Sequence, residues 1–425
     1  MRILLVNTSE RTGGAAIAAR RLMKALHDKG VQVEMLVQKR ESDDSKVVAL
    51  PHRLWQKLRF VAERLGIVWA NCGSRKNLFA IDPATHGADI TQLPQFQQAD
   101  IIHLHWFNQG MLSLNDVRKI LQSGKPVVWT MHDMWAVTGV CHQAGACEGW
   151  LRGCGHCPLL RGGGGASDLS TQTYEKKRQV YNSAQMTLVA CSDWLADIAR
   201  RAPLLKGHPV HSIPNPIDTN FFVSKDKAKA RQELGLPQDK KILLFVAYKA
   251  TDPNKGIQYL RQALEQLHDQ DAAWTDQLVL VSVGREASTL QGTFPCTLYP
   301  MEYVSNEETM RKLYDAADVL LMPTLMDNLP NTVVEAMACA TPCVAFRVGG
   351  LPQMVTPGVD GYLAKYKDAT DLASGIKEVL NSPNYPAMAK AAHEKAVSAY
   401  SEQVVAQRFI DLYERLLTPV NEERE

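Results

Sequence analysis

The chain has 425 residues, the length of two or three domains of ordinary size. Its 45% hydrophobic and 22% charged residues are those of a globular protein, and a formal net charge of +2 gives no overall field of the kind that recruits nucleic acid. No apolar run reaches the roughly 18 residues of a spanning helix, and the opening MRILLVN reads as a strand rather than a signal peptide; the expected compartment is the cytoplasm.

The first elements follow a strand, a glycine turn, a helix and a second strand. Residues 2–6 form a strand pattern that is apolar after Arg2, Gly13 and Gly14 make the turn, 15–27 repeat apolar residues at helical spacing, and 31–37 form the next strand. This is the unit of a doubly wound parallel sheet, and two glycines there let backbone approach a ligand closely. The letters are not those of a dinucleotide fingerprint. From 51 to 79 basic residues interleave with Leu54, Trp55, Leu58, Val61, Leu65 and Trp69. Such a segment either lies on an anionic membrane surface or docks its apolar stripe on its own domain. Strands at 101–105 and 127–130 carry or lead into histidines: His103 and His105 in IIHLHW, His132 in WTMHDMW. Ligands of open parallel sheets bind beyond the carboxyl ends of strands, which puts these side chains where chemistry occurs. Asp133 is placed to orient His132 or to cap a turn.

Cys141, Cys147, Cys154 and Cys157 follow, with His142 and His156 as spare donors. In a reducing compartment, four thiols at this spacing fit a structural zinc ion; free thiols and disulfides stay open as alternatives. Further strands are expected at 187–190 and 210–213. Pro214 and Pro216 break the chain, and 224–241 is charged and helix-prone. A second α/β run takes over with a strand at 242–246, a helix at 257–268, a strand at 278–283 and a helix capped by Ser305 with Glu308 three positions on. The expected domains are therefore 1–215, 216–402 and a tail, 403–425, whose amphipathic helix packs back on the first domain. The cysteine loop 141–157 belongs to the first.

The most informative stretch is 322–342, MPTLMDNLPNTVVEAMACATP. A buried strand at 318–322 ends in a turn, and Asn331 or Thr332 can cap the helix that follows. Backbone N–H groups and the positive end of the helix dipole then face the space beyond the strand, which suits a diphosphate. Asp327 precedes the turn, and Glu335 falls in the expected first helical turn. A carboxylate accepts two hydrogen bonds from a vicinal diol, so one could hold a ribose and the other a sugar ring, although an acid near a helix start also simply complements the dipole.

This acid pair, with CSDW at Cys191, IPNPID at Ile213, NKG at Asn254, YDAADVLLM at Tyr314 and VGG at Val348, resembles family-4 retaining glycosyltransferases, and TMHDMWAVTGVCH resembles the subgroup linked to bacterial surface polysaccharides. The first acid is Asp327 where that family usually has a glutamate. The resemblance implies the GT-B fold, two doubly wound, Rossmann-like domains facing across a cleft. It implies transfer of a sugar from a UDP- or GDP-sugar to a glycan or lipid-linked glycan, without a catalytic metal. Carried over residue by residue, Lys255 is the phosphate-contacting lysine and Lys249 stands nearest the family's second cation. Glu335 matches the ribose carboxylate, Asp327 the acid against the donor sugar, and His132 the active-site histidine. Backbone around Leu329, Asn331 and Thr332 would meet sugar and phosphate. Gly13 and Gly14 sit in the expected order. A sugar-nucleotide epimerase of similar fold and a zinc-stabilised scaffold without catalysis are the alternatives. A metal-dependent transferase reading of Asp269 and Asp271 is weak, because both end a helix rather than a strand.

Overall fold

The computed structural model describes residues 1–418; positions 419–425 of the expected tail lie outside the described residues. The chain forms two compact units, Met1–Pro216 with the chain from Val405 onward, and Ile217–Val404.

The first unit is built on seven parallel strands: β1 (Arg2–Val6), β2 (Gln32–Val37), β3 (Val47–Ala49), β4 (Ile101–Leu104), β5 (Val127–Met131), β6 (Thr187–Ala190) and β7 (Val210–Ser212). Their spatial order is β3-β2-β1-β4-β5-β6-β7. A parallel sheet covered on both faces needs apolar side chains in both directions along a strand. Accordingly Leu4 and Val6 enter one core, and Ile3 and Leu5 another. Helix α1 (Gly14–Asp28) covers the second face with Leu22, Met23 and Leu26. The last helix of the chain covers the same face with Val405, Phe409 and Tyr413.

Helix α2 (Arg53–Ala70) inverts the usual pattern: its buried residues are Gln56, Glu63, Arg64 and Ile67. Of the two alternatives, docking of its apolar stripe on its own domain is overturned, because Leu54, Trp55, Leu58, Val61, Leu65 and Trp69 are exposed. Polar anchoring is the reason. Gln56 donates to the Leu50 carbonyl at 2.7 Å, and Arg64 to Asp82 at 2.9 Å. Glu63 accepts from the Thr85 N–H at 3.1 Å.

The second unit has six parallel strands: β8 (Lys241–Lys249), β9 (Leu278–Arg285), β10 (Thr297–Met301), β11 (Val319–Met322), β12 (Cys343–Phe346) and β13 (Gly361–Ala364). Their order is β10-β9-β8-β11-β12-β13. Two local expectations are corrected. The helix Glu307–Ala316 is capped by Asn306, whose side chain accepts from the Thr309 N–H, and not by Ser305. The helix after β11, α3 (Asn331–Ala338), has Pro330 at its N-cap and no side-chain cap, so neither Asn331 nor Thr332 plays that part.

Each sheet winds outward in both directions from a central pair, β1 and β4 in the first unit and β8 and β11 in the second. Chains leaving such a pair depart to opposite sides and open a crevice at the strands' carboxyl ends, the preferred ligand position of this architecture.

Candidate active site

In the second unit the crevice lies between the turns that follow β8 and β11. Leu325 N–H donates to the Asn254 carbonyl at 2.8 Å, joining the two turns. A Cβ on Gly256 would come within 1.8 Å of the Pro323 carbonyl oxygen, and φ there is +74°. Only glycine permits that approach. Gly349 is the same case on the other side, with φ +57° and the Asp327 carbonyl oxygen at 1.8 Å from a built Cβ. The two glycines thus hold the turn carrying Asp327 between its neighbours.

Within this frame Lys255 Nζ donates to Asp327 Oδ2 at 2.8 Å. The Asp327 carboxylate raises the Lys255 ammonium above its ordinary pKa against the effect of burial. One of the lysine's three donors meets Asp327; the ammonium carries two more. Asp327 Oδ1 accepts from the Asn328 N–H at 3.1 Å. Leu329 is buried just ahead of α3, and Asn331 and Thr332 open its first turn, the end of a helix where N–H groups lack carbonyl partners within the helix. Glu335 is the fifth residue of α3, one turn deeper than expected, and is buried. Tyr314 donates to its Oε2 at 2.7 Å. A buried acid in a second turn is not merely complementing the dipole. Lys249 stands apart from this cluster, half-exposed and paired with Glu286 at 2.7 Å.

In the first unit Gly13 has φ +92° and precedes α1, and no atom lies within 4 Å of where its Cβ would be. Gly14 is the first residue of the helix. Across the central strand pair, Leu5 lies opposite His103 and Val6 opposite Leu104, so β1 and β4 end level. The side chains of His103 and His105 share a strand face, as do Thr130 and His132. The result is two sets of hydrogen bonds, one around His103 and one between His105 and His132. Tyr413 Oη meets His103 Nδ1 at 2.6 Å, and Thr130 Oγ1 meets His103 Nε2 at 2.7 Å. His105 Nδ1 meets His132 Nε2 at 3.0 Å. Burial pushes His103 down to about 3, helped by the nearby His132, and pushes His132 down to about 4 against the pull of Asp133. His105 is held well below its ordinary value by burial and by its two histidine neighbours. These rings are neutral at pH 7.

Asp133 is held by a cluster of its own. Its Oδ1 accepts from the Trp135 N–H at 2.8 Å, and its Oδ2 from Trp106 Nε1 at 3.0 Å and His142 Nδ1 at 2.8 Å. Burial opposes its charge, yet His142 and these donors keep the carboxyl below its usual range. Sequence reasoning singled out His132 and missed its partner role for His105 and the Trp106–Asp133–His142 cluster. The signal was present in the repeated two-residue spacing at two adjacent strand ends.

The zinc expectation finds no formed site among the described residues. Cys141, Cys147, Cys154 and Cys157 line one cavity together with Trp150 and Leu159. Yet no three His, Cys, Asp or Glu side chains among the described residues are grouped so as to hold a metal ion. The sulfurs are engaged locally instead: Cys154 Sγ accepts from the Gly139 N–H at 3.2 Å and Cys147 Sγ from the Gly149 N–H at 3.4 Å. Burial pushes the Cys141 thiol up to about 12 and Cys154 to about 11. All four are free thiols. Beneath the loop, Lys177 donates to the Trp135 and Thr138 carbonyls at 2.5 and 3.0 Å and sits over the Trp135 ring.

Comparison with known proteins matches the family described as Glycosyltransferase Family 4 over residues 12–221, and the family described as Glycosyl transferases group 1 over residues 240–382. A D-inositol 3-phosphate glycosyltransferase of Geodermatophilus obscurus is 31% identical over 179 residues, 40% of this chain and 39% of that protein. One from Mycolicibacterium smegmatis is 26% identical over 384 residues, 87% of this chain and 79% of that protein. Matches to two such proteins of Catenulispora acidiphila span 64% and 43% of their lengths, so the chain spans less than two thirds of several of its curated relatives. Among solved structures, a sucrose-phosphate synthase from Thermosynechococcus elongatus superposes with a TM-score of 0.66 at 21% identity, covering 98% of this chain and 99% of that one. Anabaena HepE in complex with UDP-glucose superposes with a TM-score of 0.62 at 15% identity, covering 98% and 100%. The fold is GT-B.

Proposed function

The chain belongs to the group 1 and family 4 glycosyltransferases, and from that premise we propose that it transfers a sugar from a nucleotide-sugar donor, with retention at the anomeric carbon, to a glycan or lipid-linked glycan of a bacterial surface polysaccharide. The observation that carries the reading is the Lys255–Asp327 pair, set beside the start of α3 at the second sheet's central strand pair.

Transfer builds positive charge at the anomeric carbon and negative charge on the departing diphosphate. Lys255 and the first turn of α3 would meet the diphosphate, where preformed positive charge stabilises the leaving group without reorganisation. Glu335, held by Tyr314, would accept from the ribose diol, and Asp327 would face the donor sugar. Lys249, paired with Glu286, would have two further donors for the phosphates. In the first unit, Gly13 leaves open space beside the start of α1, where the backbone of Gly13 and Gly14 would approach the ligand. His132, neutral and ordered by His105, would hold a sugar hydroxyl rather than act as a charged acid. A structural neighbour solved in complex with UDP-glucose supports a sugar-nucleotide donor.

A thermal-shift screen over UDP- and GDP-sugars tests the reading, since a ligand of the native state raises its melting temperature. A rise with one donor class, lost in Lys255→Ala, is the expected result. No rise with any nucleoside diphosphate or its sugars would overturn the reading. Conversion of the free donor into another sugar nucleotide, without transfer, would favour the epimerase alternative.

A further inference from the structure

Helix α2 presents a surface that sugar transfer does not use. Leu54, Leu58, Val61, Leu65 and Trp69 recur at spacings of three and four, so they form one stripe along the helix. Their exposures of 70%, 49%, 49%, 63% and 85% mean that the stripe faces solvent along its whole length. Trp55 and Phe79, 60% and 62% exposed, widen it. A contiguous apolar patch of this kind marks an interaction surface, whereas single exposed apolar residues need no explanation.

The opposite face cannot roll outward to hide it. Gln56, Glu63 and Ile67 lie about half a turn away from the stripe, at about 100° per residue, and each is buried. Arg64 holds both the Leu78 carbonyl at 2.7 Å and Asp82 at 2.9 Å. A Cβ on Gly110 would touch the Phe60 backbone at 3.0 Å, so the helix is seated as closely as its backbone allows. Rotating α2 would strand those buried charges.

Charge identifies the occupant. Arg53 and Lys57 flank the stripe on one side and Arg59 on the other, and Arg75 and Lys76 follow the helix. The only acid between 51 and 79 is Glu63, which is fully buried. We propose that α2 lies in the surface of an anionic phospholipid bilayer, with the Leu and Trp stripe among the acyl chains and the flanking Arg and Lys at the phosphates. An apolar face edged with basic residues is the composition of such in-plane helices. No helix among the described residues is long and apolar enough to span a membrane, so this contact lies on the bilayer rather than across it. A second copy of this chain fits less well: in a two-fold pair each patch meets itself, which sets basic flank against basic flank. The inference rests on the first unit alone and stands whether or not the sugar-transfer reading does.

Sedimentation of the full chain with vesicles tests it. Wild-type protein is expected to pellet with vesicles of phosphatidylcholine and phosphatidylglycerol, to stay in solution with phosphatidylcholine alone, and to be released by salt. Trp55 and Trp69 fluorescence should shift to shorter wavelength on binding. Leu65→Ser with Trp69→Ser should lower the affinity by roughly tenfold or more, and Arg53→Gln with Lys57→Gln should remove the preference for the anionic lipid. All four sites are exposed, so the melting temperature should stay at the wild-type value, which shows that any loss is not unfolding. Absence of binding to the anionic vesicles, or binding untouched by either pair of substitutions, would overturn the proposal. So would a wild-type dimer that the Leu65→Ser, Trp69→Ser variant converts to monomer.

Discussion

At the central strand pair of the second unit, a lysine and an aspartate meet at 2.8 Å beside a helix start, and a buried glutamate lies one turn deeper. At the same place in the first unit stand three histidines whose rings burial keeps neutral: His103 bonded to Tyr413 and Thr130, and His105 to His132. Topology gives the two units the same crevice. Chemistry then separates them: the second holds fixed charge suited to an anionic diphosphate, and the first holds neutral donors and acceptors suited to sugar hydroxyls. With the Lys255 ammonium on one unit and the neutral His132 ring on the other, the donor binding and transfer proposed for them can be broken separately.

The largest expected effect on turnover is in the first unit. His132→Ala should lower kcat roughly 10²–10³-fold with little change in the donor's KM, if the ring acts on the transition state. Steady-state kinetics decide this, and an effect confined to KM would move His132 to ground-state binding. The same neutrality sets a pH dependence. His132 is pushed down to about 4 from an ordinary value near 6.5. The unfolded chain therefore binds more protons than the folded one between those values. The histidine's contribution is present above pH 6.5 and lost as pH falls through about 4, amounting to roughly 3 kcal/mol. Urea unfolding between pH 7 and pH 4 should show a shallower loss for His132→Asn than for wild type. Equal slopes would mean that the ring is hydrated in the folded state.

A smaller effect belongs to the second unit. Glu335→Gln keeps the shape of the side chain and its neighbour Tyr314 but removes the charge that strengthens a diol contact. Nucleotide affinity should fall by roughly 1.5–3 kcal/mol. Unchanged affinity in a variant that melts like wild type would take Glu335 out of the ligand site.

The two units also differ in what their sequences disclosed. The strands were legible because parallel sheets demand continuous apolar runs, and 2–6 and 242–246 carry them. Lys255, Asp327 and Glu335 were legible from motif order, and the structure supplies the physical reason for two motif glycines: Gly256 and Gly349 each lie where a Cβ would strike a neighbouring carbonyl. Side-chain partners were less visible. Lys249 looked like a phosphate ligand and pairs with Glu286, a residue 37 positions away that no local pattern joins to it. The four cysteines had the spacing of a metal site, yet no metal-holding group forms among the described residues, and the Cys147 and Cys154 sulfurs meet nearby backbone N–H groups. In α2 the apolar stripe was correctly seen, but which face the domain takes depends on buried partners such as Asp82, and helical periodicity alone cannot choose between faces.

The separation of roles is tested most directly by calorimetric titration of UDP and GDP into wild-type protein, Lys255→Ala and His132→Ala. The account predicts binding of one diphosphate to wild type, an affinity roughly 2–5 kcal/mol weaker in Lys255→Ala because a charge contact is lost and Asp327 is left unpaired, and an affinity in His132→Ala within about twofold of wild type, less than roughly 0.5 kcal/mol. Equal losses in the two variants, or full affinity in Lys255→Ala, would contradict it.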